Sequence, residues 1–289
     1  MGPAARARRA VADQRRRPDG AGVRPGTLPH RGAARAARPR RGGRTVRRLA
    51  VAGAALLLAG CAAQNPSAAP VPSSAPSSVS VPAPSSTVRP APTPEATRAL
   101  VRAVTDGDLA GARAAIADGA DLEVRIARAR TALVAATKAG HTEIALALLD
   151  AGADPNAKDD MEDSAYLYAG AEGMTEILAS TLRHGADVRS LNRYRGTALI
   201  PACEHGHVEN VKLLIGAGVD VDHVNASGWT CLLEAVILGN GDADHAETVR
   251  LVLDAGARPD LADREGVTAR EHAVARGQNA VVAEIDRRR

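Results

Sequence analysis

The chain has 289 residues and 45% of them are apolar, yet it holds no Phe, one Trp and three Tyr. Aromatic rings fill much of an ordinary core, so Ala, Leu, Val and Ile must fill this one, which fits closely packed helices best. The net charge of +4 invites a nucleic-acid reading, but residues 1–48 hold 15 Arg against Asp13 and Asp19. The remainder has 22 basic against 31 acidic groups, a net charge of −9 that argues against a uniformly basic surface.

Residues 1–45 are rich in Arg, Ala, Gly and Pro, with no helical or strand period, so they offer nothing to bury. Arg47 and Arg48 precede the apolar run Leu49 to Gly60, which ends at Cys61. A bilayer core needs about 20 apolar residues; this shorter run suits the core of a secretory signal at 46–60. Leu58-Ala59-Gly60-Cys61 resembles a bacterial lipobox, in which the Cys is lipidated and the leader is cut before it. That resemblance implies a lipid anchor on Cys61, export, and attachment to the extracytoplasmic side of a membrane. Leaders of that kind have short charged starts, so translation is expected to begin near Val46, with a long charged start and a weak twin-arginine signal as the alternative. From Asn65 to Pro94 there are nine Pro and eight Ser, and Arg89 is the only charge. Residues 61–94 therefore read as a semi-extended tether.

Beyond the tether the chain repeats. Gly-Ala-Asp stands at 119–121, 152–154 and 185–187, followed by the variants Gly218-Val219-Asp220 and Gly256-Ala257-Arg258. Thr131, Ser164, Thr197, Thr230 and Thr268 keep the same spacing of 33, 33, 33 and 38, as do Gly140, Gly173, Gly206, Gly239 and Gly277. The five extra residues lie just after Gly239. A 33-residue period with these landmarks resembles the ankyrin repeat. The second unit carries the resemblance best: Thr131-Ala132-Leu133, Ala136, Gly140-His141, Glu143, Leu148-Leu149 and Gly152-Ala153-Asp154-Pro155-Asn156. No unit has the family's Pro after the Thr or its His two residues later, so each helix start loses a hydrogen-bonding motif.

The resemblance implies an all-α ankyrin-repeat solenoid, stacked helix-turn-helix units with short β-hairpin loops. Its units are an N-cap at 95–124, repeats at 125–157, 158–190, 191–223 and 224–261, and a C-cap at 262–289. Ile144, Leu148 and Leu149 give a helix one apolar stripe, and Ala135, Ala136, Ala202, Ala235 and Ala273 let the paired helix approach closely. Thin layers of this kind leave little room for large rings. Each Gly of Gly-Ala-Asp is expected to end a helix in the left-handed conformation.

No phosphate loop, zinc-protease motif, paired C-x-x-C or nucleophile elbow occurs, so no catalytic residue, cofactor or enzyme activity is expected. Cys203 and Cys231 read as buried thiols, because a layer spacing of about 10 Å exceeds disulfide reach, although an exported location permits a bridge. Glu204-His205-Gly206-His207 has metal-ligand residue types, but His207 stands at the Gly-His landmark and reads as a structural turn. Asn240-Gly241-Asp242-Ala243-Asp244 imitates the start of a calcium loop, yet His245 replaces its Gly and Leu251 its Glu; a solvated loop is preferred.

The family resemblance implies recognition of a protein partner by the loop tips and the concave face of the first helices. The tip residues here are Arg125, Arg128, Arg130, Asp159, Asp160, Glu162, Asp163, Arg193, Tyr194, Arg195, Trp229 and Arg264. Their alternating charge rejects a uniform polyanion and favours a partner with its own charge pattern. Trp229 also matches a common ankyrin hairpin variant and reads first as scaffold. The function expected is a monomeric, lipid-anchored protein-interaction module. Its alternatives are an inhibitor or immunity-type role against one exported partner, or a cytosolic nucleic-acid binder using the Arg-rich arm.

Overall fold

The computed structural model describes residues 91–288. The Arg-rich segment 1–45, the signal at 46–60, Cys61 and the tether as far as residue 90 lie outside the described residues. Twelve α-helices follow among the described residues, arranged as six pairs. They are α1 (Pro94–Asp106) with α2 (Leu109–Ala117), α3 (Ala132–Ala139) with α4 (Thr142–Asp150), and α5 (Ala165–Ala171) with α6 (Thr175–Arg183). The remaining pairs are α7 (Leu199–His205) with α8 (Val208–Gly216), α9 (Cys231–Ile237) with α10 (Ala243–Asp254), and α11 (Ala269–Ala275) with α12 (Asn279–Asp286). None of these helices is long and apolar enough to cross a membrane.

The repeated Thr or Ser is a helix cap. Thr131, Ser164 and Thr230 accept from the backbone N–H of Val134, Leu167 and Leu233 at 3.2, 3.2 and 3.3 Å, and Thr268 forms a full capping box with Glu271. These caps satisfy donors that a helix start leaves open, so the missing Pro and His leave the side-chain cap itself intact. Thr197 is the exception. Its Oγ1 is buried without a partner, and α7 starts one residue later, after Ala198.

Each pair stacks on the next, first helix against first helix and second against second, as a chain of units that cannot bury their faces alone requires. One continuous core results, built of Ala, Leu, Val and Ile with Tyr166 and Trp229 as its rings. Ala136, Ala202, Ala235 and Ala273 are fully buried at the helix contacts. On α5, one position after the equally buried Ala169, the contact is tighter still. A Cβ added to Gly170 would come within 2.8 Å of the Ala198 Cβ.

That junction explains a correction. Cys203 and Cys231 occupy, 33 residues on, the places of Gly170 and Ala198, and they are disulfide-bonded with Cα atoms 5.5 Å apart. Axis-to-axis spacing governs the middles of helices, but here the end of one first helix abuts the start of the next, well within bridging range.

The loops and part of the insert also depart from expectation. The loops are turns rather than strand pairs; the one bridge among the described residues joins Ala262 and Thr268. Four turns share one device. The Oδ1 of Asp159, Asn192, Asn225 and Asp263 accepts two backbone N–H groups, two and four residues on. Of the five extra residues, Asn240 to Asp242 form the expected loop, exposed at Asn240 and Asp242, while Ala243 and Asp244 lengthen the start of α10, which runs for 12 residues where α4, α6 and α8 run for nine. Asp242 caps that helix, and His245 takes the place held by His207 one unit earlier, its ring packed on Gly206 as His207 packs on Gly173.

Candidate protein-interaction surface

The tips and the first helices frame a groove of about 350 Å³. Its floor comes from α5, α7 and α9, through Leu167, Ile200, Pro201 and Leu238, and its wall from the turns at 192–196 and 225–227. Tyr168 and Tyr194 line it, together with Asp163, Glu172, Glu204 and Glu234. The turns hold their shape through the Asn192 and Asn225 side chains described above, and Asn225 also donates to Glu234 at 2.7 Å.

At one end of this surface lies a charge cluster. Lys138 Nζ stands 2.6 Å from Asp159 and 2.9 Å from Asp163, with Arg130 and Arg193 further out at 3.8 and 3.5 Å. Burial alone would raise the Asp159 pKa. Lys138 and the amides of Asp163 and Met161 outweigh it, and the carboxyl is held below its ordinary value. Lys138 lies 5.1 Å from the Tyr168 ring centre, and Arg193 lies 4.7 Å from that of Tyr194. Arg193 is held above its ordinary value: burial lowers it, but Tyr194, Asp163 and Asp159 more than compensate. His207 moves the other way, because burial and the neighbouring His205 both disfavour its cation. Two of the three side chains that imitated a calcium loop are engaged by neighbouring groups of the chain. Asn240 accepts from the Asp242 amide, and the Asp242 carboxylate meets both the amide and the ring of His245.

The tip residues divide. Arg128, Asp160, Glu162, Arg193 and Arg195 are exposed, and Tyr194 is half-buried with its ring under Arg193. Arg125 and Arg264 are exposed but bind neighbouring units, donating to the carbonyls of Lys158 and Ala226. Trp229 and Asp159 are buried, only 7% and 6% accessible, so as surface contacts they are corrected to scaffold. Glu162 and Arg195 hold φ of 60° and 58°, where Gly228 and Gly266 stand in later units. Reading the tips alone missed Tyr168, Glu172, Glu204, His205 and Glu234. A signal existed: at 33-residue spacing Ala135, Tyr168, Pro201 and Glu234 change character, while the neighbouring row Leu133, Tyr166, Leu199 and Leu232 stays apolar.

Family models match where the geometry repeats: one described as ankyrin repeats (3 copies) over residues 166–263, and one as ankyrin repeat over residues 129–160. A crystal structure of an ankyrin repeat domain from Acinetobacter baumannii AYE is 48% identical, covering 65% of this chain and 96% of that one, with a TM-score of 0.63. The chain belongs to the ankyrin-repeat family. A second ankyrin-repeat protein of known structure is 38% identical, covering 67% of this chain and 98% of its own, with a TM-score of 0.64. The ankyrin repeat domain of Bcl-3, described as a unique member of the IkappaB protein family, is 27% identical over 66% of this chain and 85% of that one, with a TM-score of 0.58. No curated protein matches. Ankyrin repeats generally bind protein partners.

Proposed function

We propose that this protein is an exported, lipid-anchored ankyrin-repeat module that binds a protein partner through its exposed tips and the groove between them and the first helices. The observation that carries the reading is the Cys203–Cys231 disulfide. Structural disulfides persist in oxidising compartments outside the cytosol, and this one agrees with the lipobox at Leu58-Ala59-Gly60-Cys61. Lipidation of Cys61 with two or more chains would give stable anchoring. The Pro- and Ser-rich residues 61–94 would then act as a tether.

Globomycin, which blocks cleavage of lipoprotein leaders, tests the anchor. The expected result is accumulation of a larger, uncleaved form, and an unchanged mature size overturns it. Crosslinking the native protein in its own envelope tests the interaction, where a reproducible protein adduct is expected and its absence counts against a binding role.

A further inference from the structure

We infer that the groove takes an extended, basic segment of the partner, its Arg or Lys side chains reaching Glu172 and Glu204. The inference rests on the protein-binding reading above and specifies the chemistry of what binds.

The charge of the groove is uneven. Four carboxylates line it, Asp163, Glu172, Glu204 and Glu234, against Arg193 and against Lys138, which reaches its edge at Asp163 and Tyr168. Asp163 is committed to Lys138 and Arg193, while Glu172 stands exposed at the end of α5. Both tyrosines already carry a cation of this chain within cation–π range, at 5.1 and 4.7 Å, so the partner's cations are left to the carboxylates.

The apolar floor completes the match. Leu167, Ile200, Pro201 and Leu238 offer a surface for the methylene stems that Lys and Arg bury while their charged heads reach outward. Crossing from α5 over α7 to α9 spans two helix spacings, about 20 Å. That distance suits about six residues of extended chain. A polyanion or an acidic peptide would meet the exposed Glu172 beside Glu204 there, and an apolar helix would desolvate them without pairing.

The test uses the full chain and fluorescein-labelled peptides of Gly-Arg-Ser, Gly-Glu-Ser or Gly-Leu-Ser repeated four times, titrated by anisotropy at an ionic strength of about 0.15 M. The arginine peptide is expected to bind about tenfold tighter than the other two. Replacing both Glu172 and Glu204 with Gln should weaken it about fivefold or more, whereas Glu176→Gln in the first turn of α6 should leave it unchanged. If the double variant melts early, the exposed single change Glu172→Gln serves, with a smaller loss in the same direction. Equal binding of the three peptides overturns the inference, and equal weakening by Glu176→Gln overturns it as mere attraction to the net acidic region beyond residue 48. A preference for the leucine peptide also overturns it but leaves the protein-interaction reading standing, and that reading fails only if envelope crosslinking captures nothing.

Discussion

At the scale of single residues, backbone conformation and buried charge set the sharpest expectations. Gly152 holds φ +93°, and a Cβ placed there would meet nothing within 4 Å. Gly152→Ala should therefore cost about 1 kcal/mol through conformation alone, and an unchanged melting temperature would refute the assignment. Glu162 is the mirror case, a side chain at φ 60° where later units use Gly. Glu162→Gly should raise stability by about 0.5–1 kcal/mol, measured by urea unfolding. Asp159 carries more than either. Its carboxylate accepts two amides and meets Lys138, so Asp159→Ala should destabilise by about 3 kcal/mol.

The same carboxylates give a pH dependence. Asp159 and Asp263 are held below their ordinary value, and Asp242 lies at about 2. A carboxyl with a depressed native pKa stabilises the fold fully above its unfolded value near 3.8, and that contribution is lost as pH falls through the native value. Melting temperatures should drop between about pH 4 and pH 2, and Asp242→Asn should make the drop shallower. A variant with the same acid slope as the parent would refute this.

At the scale of elements, each pair is a small helical hairpin whose ends are chemically marked. Ser or Thr caps five of the six first helices, and Asp or Asn builds the turn before four of the six. The imidazole of His141, His207 or His245 packs against the glycine that closes the preceding unit's first helix. This accounts for the Gly-His landmark without any metal. It also explains how five extra residues are absorbed: the chain lengthens α10 at its start and restores the register at His245, whose Nε2 donates to the Glu204 carbonyl across 3.0 Å. His245→Ala is expected to loosen the start of α10, seen as faster amide exchange at Ala246 to Val249 with α12 unaffected.

At the scale of the whole molecule, stability is a sum over neighbouring units, and the disulfide staples two of them. It closes 28 residues of chain, worth about 3–4 kcal/mol in a chain-entropy account. Reduction with dithiothreitol should lower the melting temperature by several degrees and should raise exchange in α7 and α9 before α3. The same staple sits beneath Pro201, Glu204 and Glu234, so the groove and the bridge share their helices. A binding surface fixed this way is ordered where the bridge forms, and that links the proposed site to the proposed compartment.

Much of this was legible in the residues because the pattern is local and repeats. The 33-residue period, the caps at Thr131 and Thr230, the left-handed Gly152 and the small-residue contacts at Ala136 and Ala202 follow from short-range sterics and hydrogen bonding. The scarcity of Phe, Tyr and Trp follows from thin layers as well. What a period does not reveal is how one unit sits on the next. The tilt that brings Cys203 to Cys231, the burial of Trp229 and Asp159 beneath their tips, and the meeting of Tyr168, Tyr194 and Glu204 around one groove arise from packing between units. Those distances depend on the side chains of two layers at once, and only the tertiary structure decides them.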